Sequence, residues 1–221
     1  MLEDNVRYLQ IAFNEDARMV SNLLPRIPQH NRILIEAGTP YIKREGMNGL
    51  RYIRRLWPGM LVADMKVADG AIGEVFMARS AGANAITVLG NAPMETLNLF
   101  INECRRLNMI SMIDMIAVKD PLNTMRQLKS PPDVVVLHLG RDEETTRGKL
   151  IQYRHVNRIN SKFSTLISAA GGVDVRGARS AIFNGANIVV VNVVQANGNL
   201  KGISTDEDIG LMARRFLETI E

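Results

Sequence analysis

The segment Asp64-Met65-Lys66-Val67-Ala68-Asp69 sets two carboxylates around one lysine at the end of the apolar run Met60-Leu61-Val62-Ala63. Alternation along an extended strand turns the side chains of Asp64 and Lys66 to one face. Asp69 then falls in the loop that follows. An opposite charge close by favours the ionised form of an amine, so Lys66 is expected to supply fixed positive charge rather than a free base. Such a group suits a reaction that passes through an anion. The plainer reading is a solvated strand end with a surface ion pair, in which Lys66 points outward.

For one strand end to become a site, other elements must converge on it. Short apolar runs alternate with amphipathic stretches, the pattern of repeated strand-helix units and a parallel sheet. Eight strands are predicted: Tyr8 to Phe13, Ile33 to Ala37, Met60 to Asp64, Ala85 to Leu89, Ile110 to Asp114, Val134 to His138, Thr165 to Ala169 and Ile188 to Asn192. Helices are predicted over Asp16 to Leu24, Lys43 to Trp57, Ala71 to Ala81, Glu95 to Asn108, Pro121 to Leu128, Arg147 to Ile159, Val175 to Phe183 and Asp206 to Ile220. The last carries Ile209, Met212, Ala213, Phe216, Leu217 and Ile220 at three- and four-residue intervals. Eight such units make one (β/α)8 TIM barrel, an α/β single domain over residues 1–221. In that fold the chemistry sits at the carboxyl ends of the strands.

The predicted strand ends are polar. They offer Asn14, Glu36, Asp64 with Lys66, Asp114, His138 with Arg141, Gly171 with Gly172, and Asn192. Buried charges without partners cost several kcal/mol each, so a cluster of them argues for a task. Glu36 and Asp64 are hard oxygen donors on adjacent strands, suited to Mg²⁺, which takes one or two carboxylates and completes its octahedron with water and substrate oxygens. Asp114 is a third ligand or an acceptor behind the ligands. His138 is the one histidine at a predicted strand end, and imidazole carries protons near neutral pH. His30, in a polar loop, and His155, in an arginine-rich stretch, read as solvated. Ala170-Gly171-Gly172-Val173 brings backbone amides to the position where this fold usually binds phosphate.

Composition narrows the classes. The chain has 221 residues, 46% of them hydrophobic, and no stretch approaches the ~20 apolar residues that span a membrane. Its acidic, polar start, Met1-Leu2-Glu3-Asp4-Asn5, is unlike a signal peptide, so a cytoplasmic location is expected. The single cysteine, Cys104, excludes intramolecular disulfides and suits packing within a helix. A net charge of +4 suits a phosphorylated small substrate as well as nucleic acid. Arg51, Arg54 and Arg55 read as the solvated face of a helix, and no zinc-finger, basic-zipper or RNA-reading signature is present; nucleic acid is not an expected partner. Pro131-Pro132 reads as a turn between helix and strand.

Gly82-Ala83-Asn84-Ala85-Ile86-Thr87-Val88 echoes Gly185-Ala186-Asn187-Ile188-Val189-Val190-Val191. Each places a glycine after a helix, where positive φ is often needed, and before a buried strand. A duplicated half-barrel predicts such an echo before strands four and eight, and so does a common way of beginning any strand.

Six segments, in order, resemble the orotidine monophosphate decarboxylase superfamily and within it the 3-hexulose-6-phosphate synthases. They are Leu9-Gln10-Ile11-Ala12-Phe13, Glu36-Ala37-Gly38-Thr39-Pro40, Val62 to Asp69, Asp114-Met115-Ile116-Ala117-Val118, His138-Leu139-Gly140-Arg141-Asp142 and Ala170-Gly171-Gly172-Val173. The first two look especially like the synthase domain that some archaea fuse to a formaldehyde-activating enzyme. The resemblance implies a barrel working as a homodimer with shared active sites, Asp69 reaching the neighbouring one. It implies Mg²⁺ on Glu36 and Asp64, Lys66 on an enediolate and proton transfer at His138. The implied reaction is condensation of ribulose 5-phosphate with formaldehyde, or its reverse. Three positions depart from the pattern. Asn14 stands where many members carry aspartate. Strand eight ends Val190-Val191-Asn192-Val193-Val194 where relatives usually have Gly-Gly or Gly-Arg. Arg141 matches the sister enzyme 3-keto-L-gulonate-6-phosphate decarboxylase. The alternatives are therefore that decarboxylase, or a barrel that binds a metabolite without catalysis.

Overall fold

A computed structural model describes residues 2–146 and 149–221. Its strands are β1 (Tyr8–Phe13), β2 (Ile33–Ala37), β3 (Met60–Val67), β4 (Ala85–Leu89), β5 (Ile110–Asp114), β6 (Val134–His138), β7 (Leu166–Ala170) and β8 (Ile188–Val194). All pair in parallel in chain order, and β8 pairs back onto β1 to close the (β/α)8 barrel. A ninth strand, β9 (Ile203–Ser204), extends the far end of β8 through Val193 and Val194. Around the barrel lie α1 (Ala17–Leu23), α2 (Thr39–Leu56), α3 (Ala71–Ser80), α4 (Met94–Arg106), α5 (Pro121–Gln127), α6 (Arg141–Glu144), α7 (Val156–Asn160), α8 (Val175–Phe183) and α9 (Ile209–Thr219). No described helix is long and apolar enough to cross a membrane.

Period-two alternation divides the buried residues into two cores. Inside the barrel Tyr8, Ala12, Leu34, Val62, Met112 and Val136 pack together. Outside it, Leu9, Ile11, Ile35, Ala63 and Val135 face the helices and meet Tyr41, Phe100 and Phe216. Cys104 is buried in this outer layer, as expected.

The echo before strands four and eight has a structural counterpart. Gly82 and Gly185 take φ of +94° and +90°, ending their helices in the left-handed region. The following asparagines then grip the preceding strand alike. Asn84 N donates to Leu61 O at 2.8 Å and its Oδ1 accepts from Leu61 N at 2.9 Å. Asn187 makes the same pair with Ile167, at 2.7 and 3.0 Å.

Five expectations need correction. Strand three runs to Val67 rather than Asp64, and its register against β4 shifts between Ala63 and Val67. Strand seven begins at Leu166, one residue later than predicted. The helix predicted over Arg147 to Ile159 is shorter. Residues 147 and 148 lie outside the described part, a 3-10 turn covers Tyr153–His155, and α7 begins at Val156. Ile151 and Tyr153 both pack on the core two residues apart, a spacing an α-helix cannot satisfy on one face. Arg54 is no solvated arginine: it donates to Trp57 O, Gly59 O and Asn84 Oδ1, tying α2 to the starts of β3 and β4. His155 is also not solvated, its side chain being only 11% exposed and its Nδ1 3.7 Å from Asp120 Oδ1.

Candidate active site

Lys66 sits at a β-bulge with φ +48°. Strict alternation fails there, because an extra residue re-aims the strand. Lys66 N leaves the ladder and donates to Thr87 Oγ1 at 2.9 Å. The same hydroxyl donates to Asp64 Oδ1 at 2.8 Å. One threonine thus holds both sides of the bulge, and Asp64 and Lys66 still face the lumen together. Lys66 Nζ lies 3.1 Å from Asp64 Oδ1 and also donates to Asp114 Oδ2. Thr39, at the start of α2, donates to Asp64 Oδ2 at 2.7 Å.

Asp114, at the end of β5, is almost wholly buried. Ile116 N donates to its Oδ1 at 2.9 Å, and His138 Nδ1 from β6 stands 2.8 Å from its Oδ2. Burial opposes the charge of Asp114, but His138 and Lys66 outweigh it and pull the carboxyl down to about 2. Burial likewise opposes the charge on Lys66, yet Asp64 and Asp114 hold its ammonium above the ordinary lysine value. His138 follows the same rule, depressed by burial and raised further by Asp114. With Asp64 they form one cluster of mutually compensating charges.

Glu36 behaves oppositely. Burial and the charge of Asp64 push its carboxyl up to about 7, against smaller opposing effects from Gln10, Lys66 and His138. Gln10 Nε2 donates to Glu36 Oε2 at 2.5 Å. Among the described residues, no three His, Cys, Asp or Glu side chains converge as a metal cage. Glu36 and Asp64 remain as two carboxyl groups on adjacent strands, oxygen donors that fit Mg²⁺, which keeps most of its water. Asp114 is taken up by Lys66 and His138.

On the opposite side Asn14 Nδ2 donates to Asn192 Oδ1 at 3.0 Å, so strands one and eight close the ring. Asn14 needs a glycine opposite it, since a Cβ on Gly38 would stand 2.2 Å from Asn14 Oδ1. Gly171, with φ +100°, has no room for a side chain either: a Cβ would fall 2.0 Å from Leu139 O. Glu36, Asp64, Lys66, Asp114, His138, Arg141, Gly171, Asn14 and Asn192 all border one cavity of about 330 Å³ at the carboxyl ends of the strands. Gly172 borders the neighbouring groove instead. Asp69 lies outside this cavity, exposed in the loop after β3. Gln10, Thr39, Thr87 and Glu144 also border the cavity or hold its charges and were not anticipated. For Gln10 and Thr87 a signal existed: each lies two residues along a strand from the lumen residues Tyr8 and Ala85.

The closed parallel barrel, with its ionised cluster at the strand ends, defines a (β/α)8 protein whose site lies at the carboxyl mouth. The sequence profile of the orotidine 5'-phosphate decarboxylase / HUMPS family matches residues 8–197, and the chain belongs to that family. It is 35% identical over 216 residues to the bifunctional enzyme Fae/Hps of Methanothrix thermoacetophila, covering 97% of this chain and 53% of that protein. A similar protein of Methanosarcina barkeri is 34% identical over 215 residues, with 96% and 52% covered. The chain thus spans about half the length of these relatives. Among solved structures, 3-hexulose-6-phosphate synthase from Salmonella typhimurium superimposes with a TM-score of 0.80 at 24% identity, covering 96% of this chain and 98% of that one. 3-keto-L-gulonate-6-phosphate decarboxylase from Vibrio cholerae gives 0.72 at 21%, with 98% of each chain covered. These two likenesses establish the fold.

Proposed function

We propose that this chain is a Mg²⁺-dependent aldolase, a 3-hexulose-6-phosphate synthase-like lyase that condenses formaldehyde with ribulose 5-phosphate or cleaves the hexulose phosphate product. One observation carries the reading: Lys66 bridges Asp64 and Asp114 at the lumen mouth, with His138 on the far side of Asp114. The similarity to the bifunctional Fae/Hps proteins supports it.

Glu36 and Asp64 would hold the ion, which when bound stabilises negative charge on sugar oxygens. The rest falls to the protein's own groups. A base takes the C1 proton of the ketose, and the electron pair becomes an enediolate. Lys66, kept protonated by its two carboxylates, faces that charge without giving up its proton. The enediolate carbon forms a bond to the formaldehyde carbon, and the aldehyde oxygen, now carrying the electron pair, takes a proton. His138 would move it through its other ring nitrogen, its Nδ1 being held by Asp114.

A homodimer completes the reading. Ile72, Phe76 and Met77 on α3 are 53%, 57% and 44% exposed, directly after exposed Asp69. A second copy covering this apolar face would bring each Asp69 toward the other copy's site.

With ribulose 5-phosphate, formaldehyde and Mg²⁺, the protein should consume formaldehyde, and Lys66→Ala should stop it. Absence of turnover by folded wild type overturns the reading. Arg141 on the cavity wall favours a second reading, decarboxylation of a 3-keto sugar acid phosphate such as 3-keto-L-gulonate 6-phosphate. Release of CO₂ from that acid, lost on Arg141→Ala, would establish it.

A further inference from the structure

The end of β8 carries side chains where an anion would need bare amides. Positive charge gathers instead one segment further along. Gly202 is pressed so close to β8 that a Cβ would stand 2.1 Å from Asn192 O, and this contact brings the preceding Lys201 back over β7's loop. Lys201 Nζ lies 3.2 Å from Asp174 Oδ2. Lys201, Arg176 and Lys149 border a groove of about 460 Å³ that also includes Gly171 and Gly172.

An acidic side chain already stands there. Glu144, the last residue of α6, borders both this groove and the catalytic cavity. Its Cγ, Cδ and Oε2 lie 3.3, 3.4 and 3.4 Å from where a Cβ on Gly172 would be. Oε2 is buried with no hydrogen-bond partner among the described residues. Burial raises its carboxyl above the ordinary value, against the smaller pull of the Gly172 amide, Arg141, His138 and Lys201. A carboxylate so placed, in a cationic groove over a double-glycine turn, occupies the space and the charge of a phosphate.

We propose that Glu144 is a tethered anion holding the place of the substrate's phosphate in the free protein, and that Lys201 is the cation that receives the phosphate once Glu144 is displaced. The two residues then set the affinity for sugar phosphates, replacing a clamp at the end of strand eight. This rests on the sugar-phosphate reading above. Two anions cannot share the turn, so each phosphate that binds must first expel a carboxylate.

The test is calorimetric titration of the full chain with inorganic phosphate, followed by KM and kcat for ribulose 5-phosphate. Glu144→Gln keeps the size and removes the charge, and should tighten phosphate binding about 1.5- to fivefold, the range for partly exposed charge pairs. Lys201→Ala should weaken it by a similar factor, and Lys201→Arg should restore it. Glu95→Gln makes the same change in net charge at an exposed position on α4, outside the groove, and should leave phosphate affinity unmoved. In turnover, Glu144→Gln should lower KM for ribulose 5-phosphate.

Phosphate affinity indifferent to both Glu144→Gln and Lys201→Ala overturns the proposal, as does equal tightening by Glu95→Gln. If phosphate binding responds as expected while no variant turns over, the groove stands and the aldolase reading fails. If turnover is found but neither variant moves KM, the aldolase reading stands and the groove fails.

Discussion

His138 is bound into the site through Asp114, whose Oδ2 lies 2.8 Å from the imidazole Nδ1. That contact directs Nδ1 at a buried carboxylate and fixes the plane of the ring. Asp114 is in turn pinned from the other side by Lys66 and from below by Ile116 N. A proton on His138, the charge on Lys66 and the charge on Asp114 are therefore one coupled quantity.

Asp114→Asn should lower the pKa of His138, because the burial that opposes its charge stays and the carboxylate that favours it goes. Titration of the His138 ring protons by NMR reads this directly. A second consequence concerns acid stability. Asp114 is depressed from 3.8 to about 2 on folding, so its contribution is present above 3.8 and lost as the pH falls through about 2. Wild type should lose on the order of 2 kcal/mol across that window, and the asparagine variant should lack this component. His138 has the opposite sign: its pKa is raised on folding, so its contribution is full below the ordinary 6.5 and fades as pH rises through the folded value. An unchanged His138 titration in the variant would break the coupling.

Glu36 costs stability where Asp114 supplies it. Its carboxyl rises from 4.5 to about 7 on folding, so between those values the folded state binds more protons and stability falls as pH rises. Without divalent ions, Glu36→Gln should therefore stabilise the protein at pH 8 by about 1–3 kcal/mol and leave it nearly unchanged at pH 4. Urea unfolding at the two pH values gives the comparison. The same substitution should abolish the thermal stabilisation that Mg²⁺ gives wild type.

Gly171→Ala should destabilise by about 2–4 kcal/mol, since φ of +100° and a backbone oxygen 2.0 Å from the new Cβ leave no relaxed position. Gly70→Ala serves as a comparison. Its φ is +63° but nothing lies within 4 Å of the added atom, so only the conformational cost, about 1 kcal/mol, remains. Melting curves for the two variants should separate by more than the difference in φ explains.

Phe76→Glu places a charge at the centre of the exposed face of α3. If two copies meet there, sedimentation should show wild type as a dimer and the variant as a monomer. Catalytic rate should fall with it, because Asp69 would lose the neighbouring site. A wild type that sediments as a monomer at the assay concentration removes the shared-site reading.

The barrel was legible because each strand announces itself within five to eight residues. The run Ile188 to Val191 and the helix spacing from Ile209 onward encode their own periodicity, and alternation sorts the lumen residues from the outer ones. The same logic puts Asn14, Glu36, Asp64, Asp114, His138 and Asn192 at one mouth. It failed where local preference was overruled. The stretch after Leu150 carries helical-looking apolar residues, yet Ile151 and Tyr153 are drawn to the core in an irregular path.

Residue types and their spacing thus determined the (β/α)8 architecture and which charges would face its mouth, because periodicity is a short-range property. What those charges do to one another was decided only by closure of the barrel. Thr87 holds Lys66 from 21 residues away, Lys66 meets Asp114 across 48, and Asn14 meets Asn192 across 178. Side chains so far apart along the chain acquire hydrogen bonds and shifted pKa values only when folding removes water from between them. The bulge at Lys66 and the carboxylate of Glu144 over Gly172 belong to the same category.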